Sequence, residues 1–245
     1  MSGHSHAANI AAKKAKTDAA KGKIFTKVGR EIAVAAKSNP DPETNSKLAD
    51  AIAKAKAVNM PNENIKRCIA KASGELSSDN YEELTYEGYG PAGSAVIIKT
   101  LTDNKNRTVD YVRTAMRKHG GSLGNAGCVS FTFSTVGLIV VEKTPALSED
   151  EVMEMVLDAG ADDFVAEDDA FVIYTAVSSF SAVRKYLEDK GLNFFEAQIT
   201  MLPQTKITLE GDELVKFNKL IDALEDLDDV QNVYHNVDLP EEEEE

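Results

Sequence analysis

Along the first seventy residues apolar side chains return every third or fourth position, the helical period. Ile24 or Phe25, Val28 and Ile32 share one face of a helix that the pattern begins near Asn9 and ends near Lys37, with Gly22 as a place for a kink. Ser38-Asn39-Pro40 stops it. Asp41 then offers an N-cap with Pro42 at the first helical position, and a second helix to Val58 buries Leu48, Ile52 and Ala55. Pro61 opens a third helix, with Ile65 and Ile69 inward and Gly74 closing it. The period then falls to two. Glu83 to Glu87 alternates, Ser94 to Leu101 reads as a buried strand, a helix turns Val109, Val112 and Met116 inward, and Val129 to Phe133 reads as another strand. From Leu138 the pattern gives a strand, helix Glu149–Ala159, strands Asp163–Glu167 and Ala170–Ala176, helix Phe180–Lys190 and strand Asn193–Met201. That is the β-α-β-β-α-β order of a ferredoxin-like unit. Strand Lys206–Leu209, helix Gly211–Leu227 and strand Val230–His235 are too little to fold alone, so they are expected to pair back with residues 82–134.

The fold class this predicts is α+β in three domains, an N-terminal helical bundle followed by two α+β domains. A basic helical head with an N-terminal arm covers 1–76, and a discontinuous α+β domain covers 77–135 plus 203–240. A ferredoxin-like domain is inserted at 136–202, and 241–245 is an acidic tail. Charge sharpens the division. The chain of 245 residues has a net charge of -14, yet residues 1–71 hold 14 Lys and Arg against 6 Asp and Glu, and the rest hold 13 against 35. The basic share concentrates in Asn9 to Arg30, where Lys13, Lys14, Lys16, Lys21, Lys23, Lys27 and Arg30 face one acid, Asp18. Lys16, Lys23, Lys27 and Arg30 fall on one helical face, opposite the apolar one. Such a face can grip a polyanion, with the acidic body orienting the molecule on it; it can equally be a solvated lysine face.

Other motifs narrow the chemistry. Cys68 and Cys128 stand 60 apart with no C-x-x-C partner, which fits a reducing compartment rather than a zinc site or disulfide frame. No apolar run approaches the ~20 residues of a membrane helix, and the start has neither signal-peptide nor transit-peptide character, so the cytoplasm is expected. His4 and His6 lack further metal donors. Gly88 to Gly93 fits G-x-G-x-x-G, but a strand follows where a dinucleotide site needs a helix, so it reads as an inter-strand loop. Thr102 to Thr108, with Asn104, Lys105 and Arg107, offers donors at a strand end and helix start, suited to a phosphate or to simple capping. The glycine-rich run Gly121 to Gly127 could cradle an anion with its amides or merely turn. Phe171, Tyr174, Phe194 and Phe195 suit core packing better than base stacking, and Glu167, Asp168 and Asp169 lack calcium-loop spacing. No nucleophile and base constellation appears, so no enzyme, no cofactor and no small-molecule substrate are expected.

The chain resembles the YebC family. The stretches that carry the resemblance are GHS at 3–5, KGKIFTK at 21–27, REI at 30–32, NMPNENIKR at 59–67, YEEL with TYEGYGP over 81–91, LTDNKNRT at 101–108 and GGSLG at 120–124. They occur in family order across nearly the whole chain. The resemblance implies a helical head with two α+β domains and a non-enzymatic role. Family members are described as DNA-binding transcriptional regulators and as ribosome-associated translation factors that help difficult stretches such as proline runs; mitochondrial relatives activate translation of a cytochrome oxidase subunit. The arm departs from the family's GHSKW, with His6 and Ala7 in place of Lys-Trp and no Trp anywhere. A stacking contact of that Trp, if made, would be worth about 1–3 kcal/mol.

The reading is therefore a non-catalytic nucleic-acid-binding regulator of gene expression. A ribosome-bound translation factor on rRNA comes first, and a DNA-binding transcriptional regulator is the alternative; no membrane partner is expected and the chain is expected to be a monomer. The expected contact residues are His4, Lys13, Lys14, Lys16, Lys21, Lys23, Lys27, Arg30, Lys47, Lys54, Lys56, Asn104, Lys105 and Arg107.

Overall fold

The computed structural model describes residues 21–73 and 80–239, which form seven helices and ten strands. The first three helices make one packing unit. Helix α1 (Lys21–Ala36) buries Val28, Ile32 and Ala36 against Leu48, Ala51 and Ala55 of α2 (Ser46–Ala57) and Ile65 and Ala72 of α3 (Asn62–Ser73). Ile32, Leu48 and Ala55 are wholly inaccessible, and burying Ile or Leu contributes about 1.5–3 kcal/mol each. Gly29 lets α1 and α3 approach closely, since a Cβ there would lie 3.2 Å from the Cys68 Sγ.

The expected cap at Asp41 is corrected. Helix α2 starts at Ser46 and its N-cap is Asn45, whose side chain accepts from Leu48 N at 3.2 Å. The amide of the same side chain donates to Ala35 O and Asn39 O at 2.8 and 2.6 Å. One residue thus satisfies donors at the start of α2 and a carbonyl at the end of α1, which Asp41 could not do. Asp41 instead accepts from Glu43 N within the connecting turn.

A four-stranded sheet follows, in the order β3-β1-β2-β9. Its strands are β1 (Glu82–Tyr89), β2 (Ala95–Thr102), β3 (Ser122–Leu123) and β9 (Val230–His235). Strand β2 is buried on both sides. Val96 and Ile98 face a cluster with Val112 and Met116 of α4 (Lys105–Lys118) and Phe217, Leu220 and Leu224 of α7 (Gly211–Glu225). Ala95 and Ile97 face Val129, Phe133, Met201 and Tyr234. The β2–β9 pairing joins 95–102 to 230–235, as the return of the chain's end required. Of the glycine motif, Gly88 lies in β1 paired with Val96, and Gly90 to Ser94 makes the turn into β2, with Ala92 at φ 54. A short parallel pair, β8 (Ile207–Thr208) with β10 (Val237–Asp238), closes the edge.

The second four-stranded sheet has the order β5-β6-β4-β7 and is antiparallel throughout. Strands β4 (Phe133–Glu142), β5 (Asp163–Ala166), β6 (Ala170–Thr175) and β7 (Phe194–Pro203) alternate with α5 (Glu149–Ala159) and α6 (Phe180–Asp189), the ferredoxin-like strand order. Ile139, Val141, Phe171 and Ile173 pack under Val152, Val156, Val183 and Leu187 of those helices. Phe171 and Phe194 are core residues here, and Tyr174 and Phe195 pack on the opposite face.

Two expectations fail around residue 130. Val129 to Phe133 is not a strand: Ser130–Thr132 forms one tight helical turn, and β4 begins at Phe133. The division expected between 135 and 136 therefore falls inside one strand, which pairs with β7 in continuous register from Phe133 to Val140. The cause is Glu87. Its carboxylate lies under the turn and accepts from the amides of Gly127, Val129 and Ser130 at 2.9, 2.9 and 2.8 Å, so those donors are not available to a sheet. Burial alone would push the Glu87 carboxyl up; the amides of Val129, Gly127 and Ser130 outweigh it and hold it below the ordinary carboxylate value.

A depressed folded value means the clamp stabilises fully above the ordinary Glu pKa and loses its contribution as pH falls through the depressed one. Glu87→Gln is therefore expected to lower unfolding free energy by about 2 kcal/mol at neutral pH. Urea denaturation at neutral and acid pH should show the gap closing once wild-type Glu87 is protonated.

Candidate nucleic-acid interface

The described part of the α1 cationic stripe is paired with the protein, with Lys23 half-exposed and Lys27 and Arg30 part-buried. It lies across the C-terminal end of α7 and the acidic turn into β9, Glu225 to Asp229. Lys23 Nζ is 2.9 Å from Asp226 Oδ1. Lys27 Nζ donates to Glu225 O at 2.6 Å. Arg30 Nη1 donates to Asp228 O at 2.7 Å and to Asp229 Oδ1 at 3.0 Å. Cations belong at such a place, because the last carbonyls of a helix lack internal donors and carry the negative end of its dipole. Burial pushes the Lys27 ammonium down, against the pull of Glu225 and Asp228. Arg30 also sits 5.5 Å from the Tyr81 ring centre. The expectation that Lys23, Lys27 and Arg30 form an open phosphate-binding face is corrected: their partners are carboxylates and carbonyls of the same chain.

Asp229 is the centre of this contact. It is 6% exposed and receives donors from two directions. Arg107 Nη2 lies 3.1 and 2.8 Å from its two oxygens, and the hydroxyls of Thr108 and Thr102 lie 2.8 and 3.2 Å from Oδ2. Arg30 reaches the same carboxylate from α1. Leu101 N donates to Asp229 O at 2.8 Å, which fixes the residue at the end of β2. Burial works against its ionisation, but the bonds from Arg107 and Thr108 outweigh it and hold the carboxyl below the ordinary Asp value. The donor-rich corner at Thr102 to Thr108 is thus filled from within. Arg107 is held by Asp229 and Asp103. Asn104 is the N-cap of α4, accepting from Arg107 N at 3.1 Å. A crevice of about 490 Å³ opens beside this network, walled by Lys23, Arg30, Arg107 and Tyr111 on one hand and Asp226, Asp228 and Asp229 on the other. Its charges balance, so it offers no net attraction for an anion.

A second tie holds α2. Asp50 accepts from Arg184 Nε at 3.0 Å and from the Ser181 hydroxyl at 2.5 Å, and Arg184 is 5% exposed. Between these ties, Tyr234 of β9 has its phenol pushed up to about 12 by burial and by the nearby carboxylates of Glu31 and Glu196.

Of the remaining expected contacts, Lys54 is paired with Glu31 at 2.8 Å. Lys21, Lys47, Lys56 and Lys105 are exposed, and Lys47, Lys56 and Lys105 have no ion pair among the described residues. His4, Lys13, Lys14 and Lys16 lie outside the described residues. Sequence reasoning named the Thr102 to Thr108 corner but missed Asp229 as the anion that fills it. The signal was present in the acidic run Glu225-Asp-Leu-Asp-Asp229, complementary to the spacing of Lys23, Lys27 and Arg30.

Comparisons with known proteins cover the whole of this architecture. Residues 5–75 match the family model described as the TACO1/YebC protein N-terminal domain, and residues 81–237 match the TACO1/YebC second and third domain. The chain is 60% identical over 238 residues to a probable transcriptional regulatory protein of Acetivibrio thermocellus, covering 96% of this chain and 98% of the relative. It is 55% identical over 242 residues to the probable transcriptional regulatory protein ORF2U of Hathewaya histolytica, covering 98% of each. The crystal structure of the conserved hypothetical protein Aq1575 from Aquifex aeolicus superposes with a TM-score of 0.81 at 44% identity, covering 93% of this chain and 94% of that one.

The two kinds of ion pair at the α1 contact should behave differently. Asp229→Ala removes the buried anion shared by the part-exposed Arg30 and Arg107 and by the hydroxyls of Thr102 and Thr108, and about 2 kcal/mol of stability should be lost in urea denaturation at neutral pH. That loss should persist down to the ordinary Asp range and shrink below it, because Asp229 is ionised in the fold throughout. Asp226→Ala removes only the solvent-exposed partner of Lys23 and should leave the transition nearly unmoved.

Proposed function

The chain belongs to the TACO1/YebC family, and from that premise we propose that it is a non-catalytic regulator of gene expression that binds nucleic acid, with DNA as its first partner. The names of the relatives, probable transcriptional regulatory proteins, support DNA over the ribosome, which the sequence reading put first. We read the chain as three domains: the head of 1–76, the ferredoxin-like unit from Phe133, where β4 starts, to Pro203, where β7 ends, and a discontinuous domain on either side of that unit. Among the described residues no helix is long and apolar enough to cross a membrane.

One observation carries the proposal. Residues 21–73 hold eleven Lys and Arg against five Asp and Glu, and after internal pairing α2 still shows Lys47 and Lys56 to solvent. These two, with Lys21 and the lysines of the arm at 13, 14 and 16, are the proposed phosphate contacts; Lys105 at the start of α4 adds another. Lys23, Lys27, Arg30 and Arg107 position the head and are left out of the contact set. The −22 balance of residues 72–245 then repels phosphate everywhere but at the head and near α4.

Anisotropy titrations of duplex DNA over a series of salt concentrations test this. The double reversal Lys47→Glu with Lys56→Glu should weaken binding and cut the log-log salt slope by about 2, one for each lost phosphate contact. An unchanged slope would remove α2 from the interface. Offering labelled protein purified ribosomes and a promoter duplex together decides between partners: a specific duplex complex that survives excess random DNA supports transcriptional control, and transfer to ribosomes refutes it.

A further inference from the structure

A second basic stretch lies inside the acidic body. Residues 104–131 carry Lys105, Arg107, Arg113, Arg117 and Lys118 against a single acid, Asp110. Arg107 is occupied by Asp229 and Arg113 by Asp110. Arg117 and Lys118, in the last turn of α4, are exposed and have no ion pair among the described residues.

The chain reverses directly after them. Gly121 N donates to Met116 O at 2.8 Å, and Ser122 pairs with Tyr89 of β1. Tyr89 bridges to the next turn, its hydroxyl donating to Cys128 O at 3.0 Å. That turn displays Phe131, which is 72% exposed, while Tyr89 itself is 43% exposed. A scattered apolar side chain on a slack loop would need no explanation. This turn is not slack. Glu87 clamps the amides of Gly127, Val129 and Ser130, and Gln204 N donates to Thr132 O at 2.9 Å on the other side of Phe131. The ring is held out in solvent by a buried carboxylate.

We propose that Phe131 and Tyr89, with Arg117 and Lys118, form a stacking platform for single-stranded nucleic acid. Every base has a π-face, so a rigid aromatic stacks without sequence preference while adjacent cations take phosphates. Bases in a duplex keep those faces covered by their neighbours, so the platform selects unpaired strands. A protein partner would need a wider apolar surface around Phe131, whereas the neighbouring Asn125, Ala126 and Ser134 are exposed and small or polar. The proposal extends the nucleic-acid reading above to another surface and fails separately from it.

The test uses the full chain and anisotropy titrations of labelled oligodeoxyuridylate, oligouridylate and a random duplex over a series of salt concentrations. Phe131→Ala should bind the single strands about tenfold more weakly, the scale of one lost stacking contact, and bind the duplex as before. Phe131→Trp should retain single-strand affinity. The pair Arg117→Glu with Lys118→Glu should lower the single-strand salt slope by about 1.4. Circular dichroism and melting confirm that these exposed substitutions leave the fold intact. Tighter binding to either oligomer supports the proposal and names the sugar it prefers. Wild-type protein that binds duplex but neither oligomer overturns the platform and leaves the proposed function standing; binding to none of the three probes overturns both. Unchanged affinity in Phe131→Ala, or an equal loss on duplex and single strands, also overturns the platform.

Discussion

Asp229 cannot be buried as an anion without donors, and the donors it gathers set how the helical unit meets the sheet. Thr102, Arg107 and Thr108 approach from the corner between β2 and α4, and Arg30 approaches from α1. The desolvation cost of a buried carboxylate amounts to several kcal/mol, so the arrangement is stable only with this set complete. The orientation of α1 follows. With Arg30 on Asp229, a residue seven positions earlier on the same face must lie over Asp226, and Lys27 must lie over the final carbonyls of α7.

That constraint explains which parts of the molecule sequence reasoning could reach. Periodicity located the elements, because apolar spacing reports burial wherever it occurs: Ile32, Val112 and Phe217 are all fully inside. The ferredoxin-like order and the return of 230–235 to 95–102 were legible for the same reason. The α2 cap was misplaced because Asp41-Pro42 and Asn45-Ser46 both suit a helix start locally. Only the reach of Asn45 back to Ala35 O decides between them. The site was legible as a set of charges and not as an arrangement. A lysine stripe has the same spacing whether it faces phosphate or a carboxylate two hundred residues away.

Three donor-rich features read as candidate anion sites, and each already holds an anion or carbonyl from the same chain. The glycine-rich loop holds Glu87, the Thr102 to Thr108 corner holds Asp229, and the α1 stripe holds the run from Glu225 to Asp229. The physics of recognition is that of a phosphate site, with amides, hydroxyls and guanidinium groups converging on oxygen. The ligand differs because a protein with 41 acidic residues keeps carboxylates near every such corner. In Glu87 the consequence is mechanical: an anion that would have been a ligand becomes the clamp that shapes the turn.

Internal pairing also changes what the remaining cations can do together. Two patches on independently moving units would engage a polyanion as two weak events. Here Arg107 at the start of α4 and Arg30 of α1 grip one carboxylate, and Asp50 of α2 grips Arg184 of α6. These ties link the helical unit, which carries the exposed lysines of α2, to the sheets, one of which carries the exposed end of α4. In the proposed binding mode, a strand bound at one patch would meet the other at a high effective concentration only where its path fits the distance between them, so the ion pairs that withdraw cations from the surface would make the rest selective for nucleic-acid geometry.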